Sequence, residues 1–230
     1  MSRKIFIDGG ANKGQSTEAF LSQWPKSEDF EVYMFEPDVA SIKMIKSKNF
    51  FNSEKVQLLN RAIWVVNQNL TFFVKSPTSE GNTIVKGKVK AQSWKQKSEY
   101  QVKAISLSNW IKNNFNLNDY IILKMDIEGA EYDVIKHLDA TGTLQFVDVL
   151  FLEIHGLKCG KSFEESMDLI NIVEKNNLVP YSWSAETFVY STYKQNVYNN
   201  ERLKKEYKKW KALALGKDNE FKFKAKNKIF

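Results

Sequence analysis

Apolar runs of strand length alternate with helix-like stretches along most of this 230-residue chain. Such alternation predicts an α/β fold, in which helices cover both faces of a mostly parallel sheet. The ligand crevice of such a sheet lies outside the carboxyl ends of its strands. Residues that directly follow the predicted strands are therefore the first candidates for a functional site.

The predicted strands are short apolar segments, several of which end in a polar or turn residue. The main ones are KIFID (4–8), FEVYMFEP (30–37), KVQLLNRAIWVV (55–66), YQVKAISL (100–107), YIILKMD (120–126) and FVDVLFLEI (146–154). A hairpin or edge strand is expected at 70–74, and two final antiparallel strands at 178–183 and 186–192. The nearly all-apolar segment 120–126 is typical of a strand that is buried on both faces.

The predicted helices follow these strands. They span residues 14–21, 38–48, 108–115, 128–138 and 162–177. Ser162 and Glu165 form a capping-box pattern at the start of the last helix. Residues 75–98 are polar, with few apolar side chains, and are expected to form a long mobile loop.

The formal charge of +7 comes from the end of the chain. Residues 201–230 hold 11 of the 34 basic and 4 of the 27 acidic side chains, so residues 1–200 are neutral overall. We therefore expect a domain over 1–200 and a basic appendage over 201–230. The apolar spacing of the appendage predicts an amphipathic helix followed by an edge strand.

The composition also predicts where the protein works. Cys159 is the single cysteine, no signal-peptide pattern is present, and no apolar run approaches the length needed to span a bilayer. These features predict a cytoplasmic protein without a membrane span.

A glycine-rich turn, DGGANKG (8–14), directly follows the first predicted strand. Small residues let a ligand approach the backbone, and the helix that begins near Gly14 points its N–H groups towards the crevice. A plain tight turn would have the same composition, so this motif alone does not identify a ligand.

Glu36 ends the second strand, 22 residues after Gly14. A carboxylate at such a position accepts hydrogen bonds from a ribose diol, as in NAD enzymes. The glycines at 9, 10 and 14, however, lack the G-x-G-x-x-G spacing, and Asp8 would be unfavourable beside a pyrophosphate. S-adenosylmethionine carries an ammonium group and a ribose but no phosphate, so the acidic residues favour this cofactor.

Five segments resemble, in order and spacing, the FkbM family of S-adenosylmethionine-dependent methyltransferases. They are FIDGGANKGQST, FEP, LLNRAIW, LKMDIEGAEYDVIKHL and LFLEIHG, within residues 4–156. The resemblance implies a Rossmann-like class I methyltransferase fold with a seven-stranded, mostly parallel sheet whose last strand is antiparallel. It also implies O-methyl transfer to a hydroxyl group of a sugar, a glycan or a related small molecule.

The resemblance implies cofactor contacts in three segments, for the methionine part, the ribose and the adenine in turn. These are Asp8, Gly9, Gly10, Ala11, Asn12 and Gly14; Glu36 and Pro37; and Asn60, Arg61 and Ala62.

Candidate catalytic residues follow two buried strands. Asp126 and Glu128 follow the strand at 120–126, while Glu153 and His155 end the strand at 146–154. Two mechanisms remain open. In the slightly favoured one, His155 is the general base and Asp126 places the acceptor. In the other, Asp126, Glu128 and Glu153 hold Mg²⁺ or Mn²⁺, with His155 as a further ligand.

Other polar and aromatic residues have simpler explanations. Glu131 suits a helix N-terminus and His137 a helix C-terminus, so neither is assigned a catalytic role. Four aromatic side chains are candidates for stacking on a sugar ring, although the core is their more frequent place. They are Trp94, Trp110, Tyr181 and Trp183.

Two other functions remain open. An RNA methyltransferase would use the basic appendage, in which Tyr207 and Trp210 lie among lysines, but the neutral body disfavours nucleic acid as a partner. A non-catalytic assembly module would have kept the fold without binding the cofactor. A homo-oligomer is also left open, and a small-molecule or glycan acceptor is the expected partner.

Overall fold

The computed structural model describes residues 2–94 and 98–182. The described residues form nine strands and six α-helices. The strands are β1 (Lys4–Gly9), β2 (Glu31–Phe35), β3 (Val56–Leu59), β4 (Ala62–Trp64), β5 (Gln68–Val74), β6 (Ser98–Ser106), β7 (Tyr120–Met125), β8 (Val149–Leu152) and β9 (Pro180–Tyr181). The helices are α1 (Gln15–Gln23), α2 (Val39–Lys46), α3 (Lys86–Ala91), α4 (Leu107–Asn114), α5 (Glu131–Ala140) and α6 (Phe163–Lys175).

Six strands form the main sheet, in the order β3-β2-β1-β7-β8-β9, and every neighbouring pair is parallel. Each face of this sheet has its own apolar core. Ile7, Leu123 and Leu150 pack with α4, α5 and α6 on one face. Phe6 and Phe151 pack with α1 and α2 on the other face. The predicted α/β architecture with helices on both faces is confirmed.

The main sheet has six strands among the described residues, and the last of them, β9, runs parallel to β8. Helix α6 carries the chain back across the sheet, so that β9 enters in the same direction as β8. The strand predicted at 186–192, which would be the seventh and antiparallel one, lies outside the described residues, as does the appendage at 201–230, so these two predictions stay open.

The single strand predicted at 55–66 is wrong. The chain forms two strands there, β3 beside β2 in the main sheet and β4 beside β6 in a second sheet. Asn60 and Arg61 interrupt the apolar run because they connect the two sheets. The second sheet has the order β4-β6-β5, and β5 is its antiparallel edge strand, as the prediction of an edge strand at 70–74 requires.

The segment predicted as a long loop at 75–98 is more ordered than expected. It contains α3, and Thr83 pairs with Phe73 as an isolated antiparallel bridge. The Thr83 hydroxyl donates to the carbonyl oxygen of Glu128 at 2.7 Å, so the segment rests on the turn after β7. Sequence reasoning missed this because α3 is short and rich in lysine.

The starts of the helices follow from local chemistry. The capping box of Ser162 and Glu165 is confirmed, and Asp38 caps α2 by accepting from the backbone N–H of Ala40. None of the helices in the described part of the chain is long and apolar enough to cross a membrane.

Candidate active site

A cavity of about 520 Å³ opens where β1, β2 and β7 end. One wall is formed by the turn after β1 and the end of β2. The opposite wall comes from the start of β4 and the segment that contains α3. A volume of this size suits a nucleoside-sized ligand together with a small acceptor.

The backbone N–H groups of the turn after β1 form hydrogen bonds within the protein. Gly10 and Ala11 donate to the carbonyl oxygen of Phe35 at 3.1 and 3.0 Å, and Gly14 donates to that of Ala11 at 2.7 Å. Asn12 N–H donates to Glu36 and Lys13 N–H to Gln15. Because five successive N–H groups have partners inside the protein, the turn is poorly suited to bind a phosphate, and it fits a cofactor without one.

Gly10 is a position that requires glycine. Its φ of +78° lies in the left-handed region, and a Cβ atom there would lie 1.9 Å from the carbonyl oxygen of Asp126. This contact brings the turn after β1 against the turn after β7.

Glu36 is buried, with 5% of its surface exposed, and its carboxylate lines the cavity. It accepts the N–H groups of Asn12 at 2.7 Å and Asp38 at 2.8 Å. Burial raises the pKa of Glu36 to about 8, and the two N–H groups only partly oppose this. A buried carboxylate with unused lone pairs at the cavity wall suits a ribose diol.

Asp8 does not line the cavity. It is fully buried, accepts the hydroxyls of Ser16 and Thr17 at 2.6 and 2.7 Å, and pairs with Lys124 at 3.2 Å. Lys124 also donates to the carbonyl oxygen of Gly10 at 2.9 Å. In this structure Asp8 therefore holds the turn and β7 together and does not face the cavity to meet an ammonium group.

Lys124 is a site residue whose partner sequence reasoning missed. Asp8 and Lys124 are register partners in the β1–β7 pair, so their side chains meet on the same face of the sheet. Burial alone would lower the pKa of Lys124, but Asp8 and Asp126 raise it. A lysine inside the apolar run YIILKM was the available signal.

The other predicted cofactor residues divide into two groups. Those that line the cavity are Gly10, Ala11, Asn12, Glu36, Pro37, Arg61 and Ala62. Gly9 instead pairs with Met125 inside the sheet, Gly14 precedes α1, and Asn60 is exposed. The cofactor contacts themselves stay predictions.

The predicted catalytic residues do come together, at the ends of β7 and β8. Asp126, Glu128 and Glu153 line the cavity, and His155 lies buried beside them. The imidazole Nε2 is 3.3 Å from Glu128, 3.3 Å from Glu153 and 3.7 Å from Asp126. We call these four residues, together with Glu131, the acid–histidine cluster.

The surroundings of His155 disfavour a role as general base. Burial alone would lower its pKa, but Glu131, Glu153 and Glu128 outweigh burial and raise the pKa of His155 to about 10. A histidine that is already in its imidazolium form at neutral pH cannot accept a further proton. Burial also raises the pKa of Asp126, which Lys124 only partly offsets, so a carboxylate is the better proton acceptor here.

The segment that carries α3 contributes two contacts that the sequence did not reveal. Lys88, 1% exposed, forms an ion pair with Glu128. Thr78 N–H donates to Asp38 at 3.2 Å, and Asp38 also accepts the hydroxyl of Tyr100 on β6 at 3.0 Å. The segment is thereby fixed to the cavity wall at Thr78 and at Lys88.

Among the described residues, one member of the candidate aromatic platform lines the cavity. Trp94 lines the cavity. Trp110 packs in the core against Tyr33 and Phe35, and Tyr181 packs on Phe151. Trp183 lies outside the described residues.

The fold and the site are those of the Rossmann-like class of α/β proteins, in which the ligand crevice lies at the carboxyl edge of a parallel sheet. The family model of the methyltransferase FkbM domain matches residues 8–178, so the chain belongs to the FkbM methyltransferase family. It is a methyltransferase, and its family implies S-adenosylmethionine as the methyl donor. No curated protein and no solved structure matches the chain.

Proposed function

We propose that this protein transfers the methyl group of S-adenosylmethionine to a hydroxyl oxygen of a sugar, a glycan or a related small molecule. The observation that carries the proposal is the position of three carboxylates, Asp126, Glu128 and Glu153, in the same cavity as Glu36. A hydroxyl is a poor nucleophile that needs its proton removed, and carboxylates beside it serve that need.

The residues of the cavity fit the cofactor. Glu36 would accept the ribose hydroxyls, which its burial at the cavity wall supports, and Gly10, Ala11 and Asn12 line the same cavity. Arg61 and Ala62 form the side on which the adenine would lie. The turn after β1, whose amides are already paired, needs no phosphate to satisfy it.

The acceptor end is formed by the acid–histidine cluster. When bound, S-adenosylmethionine supplies an electrophilic methyl carbon, to which the hydroxyl oxygen bonds as the carbon–sulfur bond breaks and its electron pair stays on sulfur. The hydroxyl proton passes to a cluster carboxylate, for which Asp126 is suited because burial raises its pKa. Lys124 and Lys88 hold Asp8 and Glu128 in place around this reaction.

A methyl-transfer screen tests the proposal. Purified protein and labelled S-adenosylmethionine are incubated with free sugars, nucleotide sugars, glycans and RNA, and the products are identified by mass spectrometry. We expect label on a sugar hydroxyl, a loss of at least 100-fold in Asp126→Asn, since a lost general base costs ~10²–10⁴ in rate, and no loss in Asp133→Asn. Asp133 is an exposed carboxylate on α5 and serves as the matched control.

Other outcomes would change the assignment. Label on RNA alone would favour the RNA methyltransferase, whose support lies in residues 201–230, outside the described residues. A protein that binds no cofactor at all would favour an assembly module. A cytoplasmic location remains part of the proposal.

A further inference from the structure

The imidazole of His155 is surrounded by carboxylates on both of its nitrogen atoms. Its Nδ1 lies 3.0 Å from Glu131, and its Nε2 faces Glu128, Glu153 and Asp126 at 3.3, 3.3 and 3.7 Å. The residue is 2% exposed. Lys88 pairs with Glu128 and Lys124 lies 3.8 Å from Asp126, so the two lysines balance part of this negative charge. When the imidazole is neutral, a cation between Asp126, Glu153 and Nε2 would balance the rest.

Glu131 fixes the orientation of the ring. It is fully buried, and its two oxygens accept the N–H groups of Ile127 at 2.9 Å and Gly129 at 2.8 Å. A carboxylate held in this way accepts a hydrogen bond from His155 Nδ1–H, so Nε2 is the nitrogen that binds an ion once the ion has displaced the proton from it. Histidines that bind metals are oriented by such a carboxylate on their other nitrogen.

Two buried polar atoms of the acid–histidine cluster lack a hydrogen-bond partner within the described part of the chain. His155 Nε2 and Asp126 Oδ1 are buried, yet neither makes a hydrogen bond to any residue that the structure describes. Buried polar atoms are nearly always hydrogen-bonded, so these two indicate a missing ligand between them. Asp126, Glu131 and His155 each offer a donor atom within 4.8 Å of one another. Because Glu131 is already on Nδ1, the further oxygen on the Nε2 side comes from Glu153, at 3.3 Å.

The distances around Nε2 agree with a shared metal ion. Metal bonds of ~2.0–2.2 Å to nitrogen and oxygen place neighbouring ligand atoms about 3.0–3.5 Å apart. The oxygen of Glu153 lies 3.3 Å from Nε2, within this range, and the oxygen of Asp126 lies 3.7 Å from it, so Asp126 would have to move by a few tenths of an ångström to share the ion. Glu128 is at a similar distance, but its carboxylate is already held by Lys88.

We propose that Asp126, Glu153 and His155 bind one divalent ion, Mn²⁺ in preference to Mg²⁺, and that Glu131 is the positioning residue of this site. Two carboxylates with one imidazole suit Mn²⁺, because Mg²⁺ prefers ligands that are all oxygen. Three protein ligands leave positions open towards the cavity, which Asp126 and Glu153 line.

The role that this ion would have in catalysis rests on the proposed function. A hydroxyl that enters an open position of the ion loses its proton more readily, and the proton passes to the carboxylate oxygen that the ion does not use. The site itself is independent of any acceptor and can be measured without one.

The test is Mn²⁺ binding by the full chain, stripped with chelator and then measured by calorimetry and by the spin-resonance signal of Mn²⁺. We expect one ion per chain. Affinity should fall at least tenfold in His155→Gln and about 10–100-fold in Glu131→Gln, the usual cost of losing an orienting partner. Asp133→Asn, on the same helix as Glu131, should bind as the wild type does.

Absence of binding up to millimolar Mn²⁺, or unchanged binding in His155→Gln, would overturn the site. If thermal unfolding shows that His155→Gln does not fold, Glu153→Gln tests the same ion, because Glu153 is 41% exposed at its side chain and tolerates change. Methyl transfer that proceeds unchanged in chelator would reject the metal but keep the methyltransferase proposal. One Mn²⁺ bound per chain, without methyl transfer to any acceptor, would keep the metal site and reject the proposed methyl transfer to a hydroxyl.

Discussion

The affinity for the nucleoside part of the cofactor should depend on pH through Glu36. Burial raises the pKa of this carboxyl to about 8, so near neutral pH most molecules carry it protonated. An ionised carboxylate accepts both ribose hydroxyls, whereas the protonated form has lost part of this capacity. Binding therefore selects the ionised form.

The size of the effect follows from the pKa. Each pH unit below about 8 reduces the ionised fraction about tenfold, which corresponds to ~1.4 kcal/mol of binding free energy. For a pKa of about 8, the ionised fraction rises from about 1% at pH 6 to about half at pH 8, so affinity should rise about 50-fold over this range and at most about twofold more above it. Affinity rises with pH, because the nucleoside binds the deprotonated form of Glu36 more tightly and protonation of Glu36 opposes binding.

The measurement is calorimetric titration with 5′-methylthioadenosine between pH 6 and pH 9. This probe has the adenine and ribose of the cofactor but lacks its amino-acid part, whose own ionisation would otherwise contribute. Glu36→Gln should bind at least tenfold more weakly at pH 8, since charged hydrogen bonds contribute ~1.5–3 kcal/mol each, and without the pH dependence. Glu18→Gln, which alters an exposed ion pair with Lys48, is the control.

Two results would contradict the reasoning. One is a wild-type affinity that stays flat over this pH range. The other is a Glu36→Gln variant that keeps the same slope, because the titrating group would then lie elsewhere.

Three further predictions concern the framework of the site. In urea unfolding, Gly10→Ala should lower the free energy of unfolding at least twice as much as Gly142→Ala. Both glycines have a positive φ, which costs an alanine about 1 kcal/mol. A Cβ at Gly142, however, meets nothing within 4 Å, whereas one at Gly10 would lie 1.9 Å from the carbonyl oxygen of Asp126. Equal losses would mean that the close contact at Gly10 is unimportant. Lys88→Met should cost about 3 kcal/mol by leaving Glu128 unpaired, and should slow methyl transfer while nucleoside affinity stays within threefold; a tenfold loss of that affinity would place Lys88 in the cofactor site. Deleting 201–230 should leave cofactor affinity unchanged by calorimetry, and a folded truncation that no longer binds would refute the separation.

Most of the fold was accessible from the sequence because buried strands and helix caps have local signals. The nearly all-apolar β7 and the capping box of α6 are examples, and both are present as predicted. The division of 55–66 between two sheets was not accessible, since an apolar run with two polar residues in the middle looks like one strand with an irregularity. The two sheets are separated by long-range pairing with β2 and β6.

The site shows the same limit at the level of single side chains. Sequence position placed Asp8, Lys124, Asp126 and His155 at the carboxyl edge, but it did not state which of them face each other. The register of β1 against β7 pairs Asp8 with Lys124, and this removes Asp8 from the cavity wall.

The pairing of charges then decides the chemistry that remains available. Lys124 neutralises Asp8, and Lys88 neutralises Glu128, so two of the acidic side chains at this edge are balanced by buried lysines. Asp126 and Glu153 both lie near Nε2 of His155, and Glu131 lies at Nδ1 of the same ring. Lys124 also lies 3.8 Å from Asp126, but it is shared with Asp8, so the nearby positive charge is smaller than the negative charge wherever all three carboxylates are ionised. The rest is balanced either by a proton on Asp126, which has to leave before Asp126 acts as a base, or by a divalent ion. The two alternatives differ in one observable: proton binding leaves Mn²⁺ without a site, whereas the ion-binding cluster takes it up one to one.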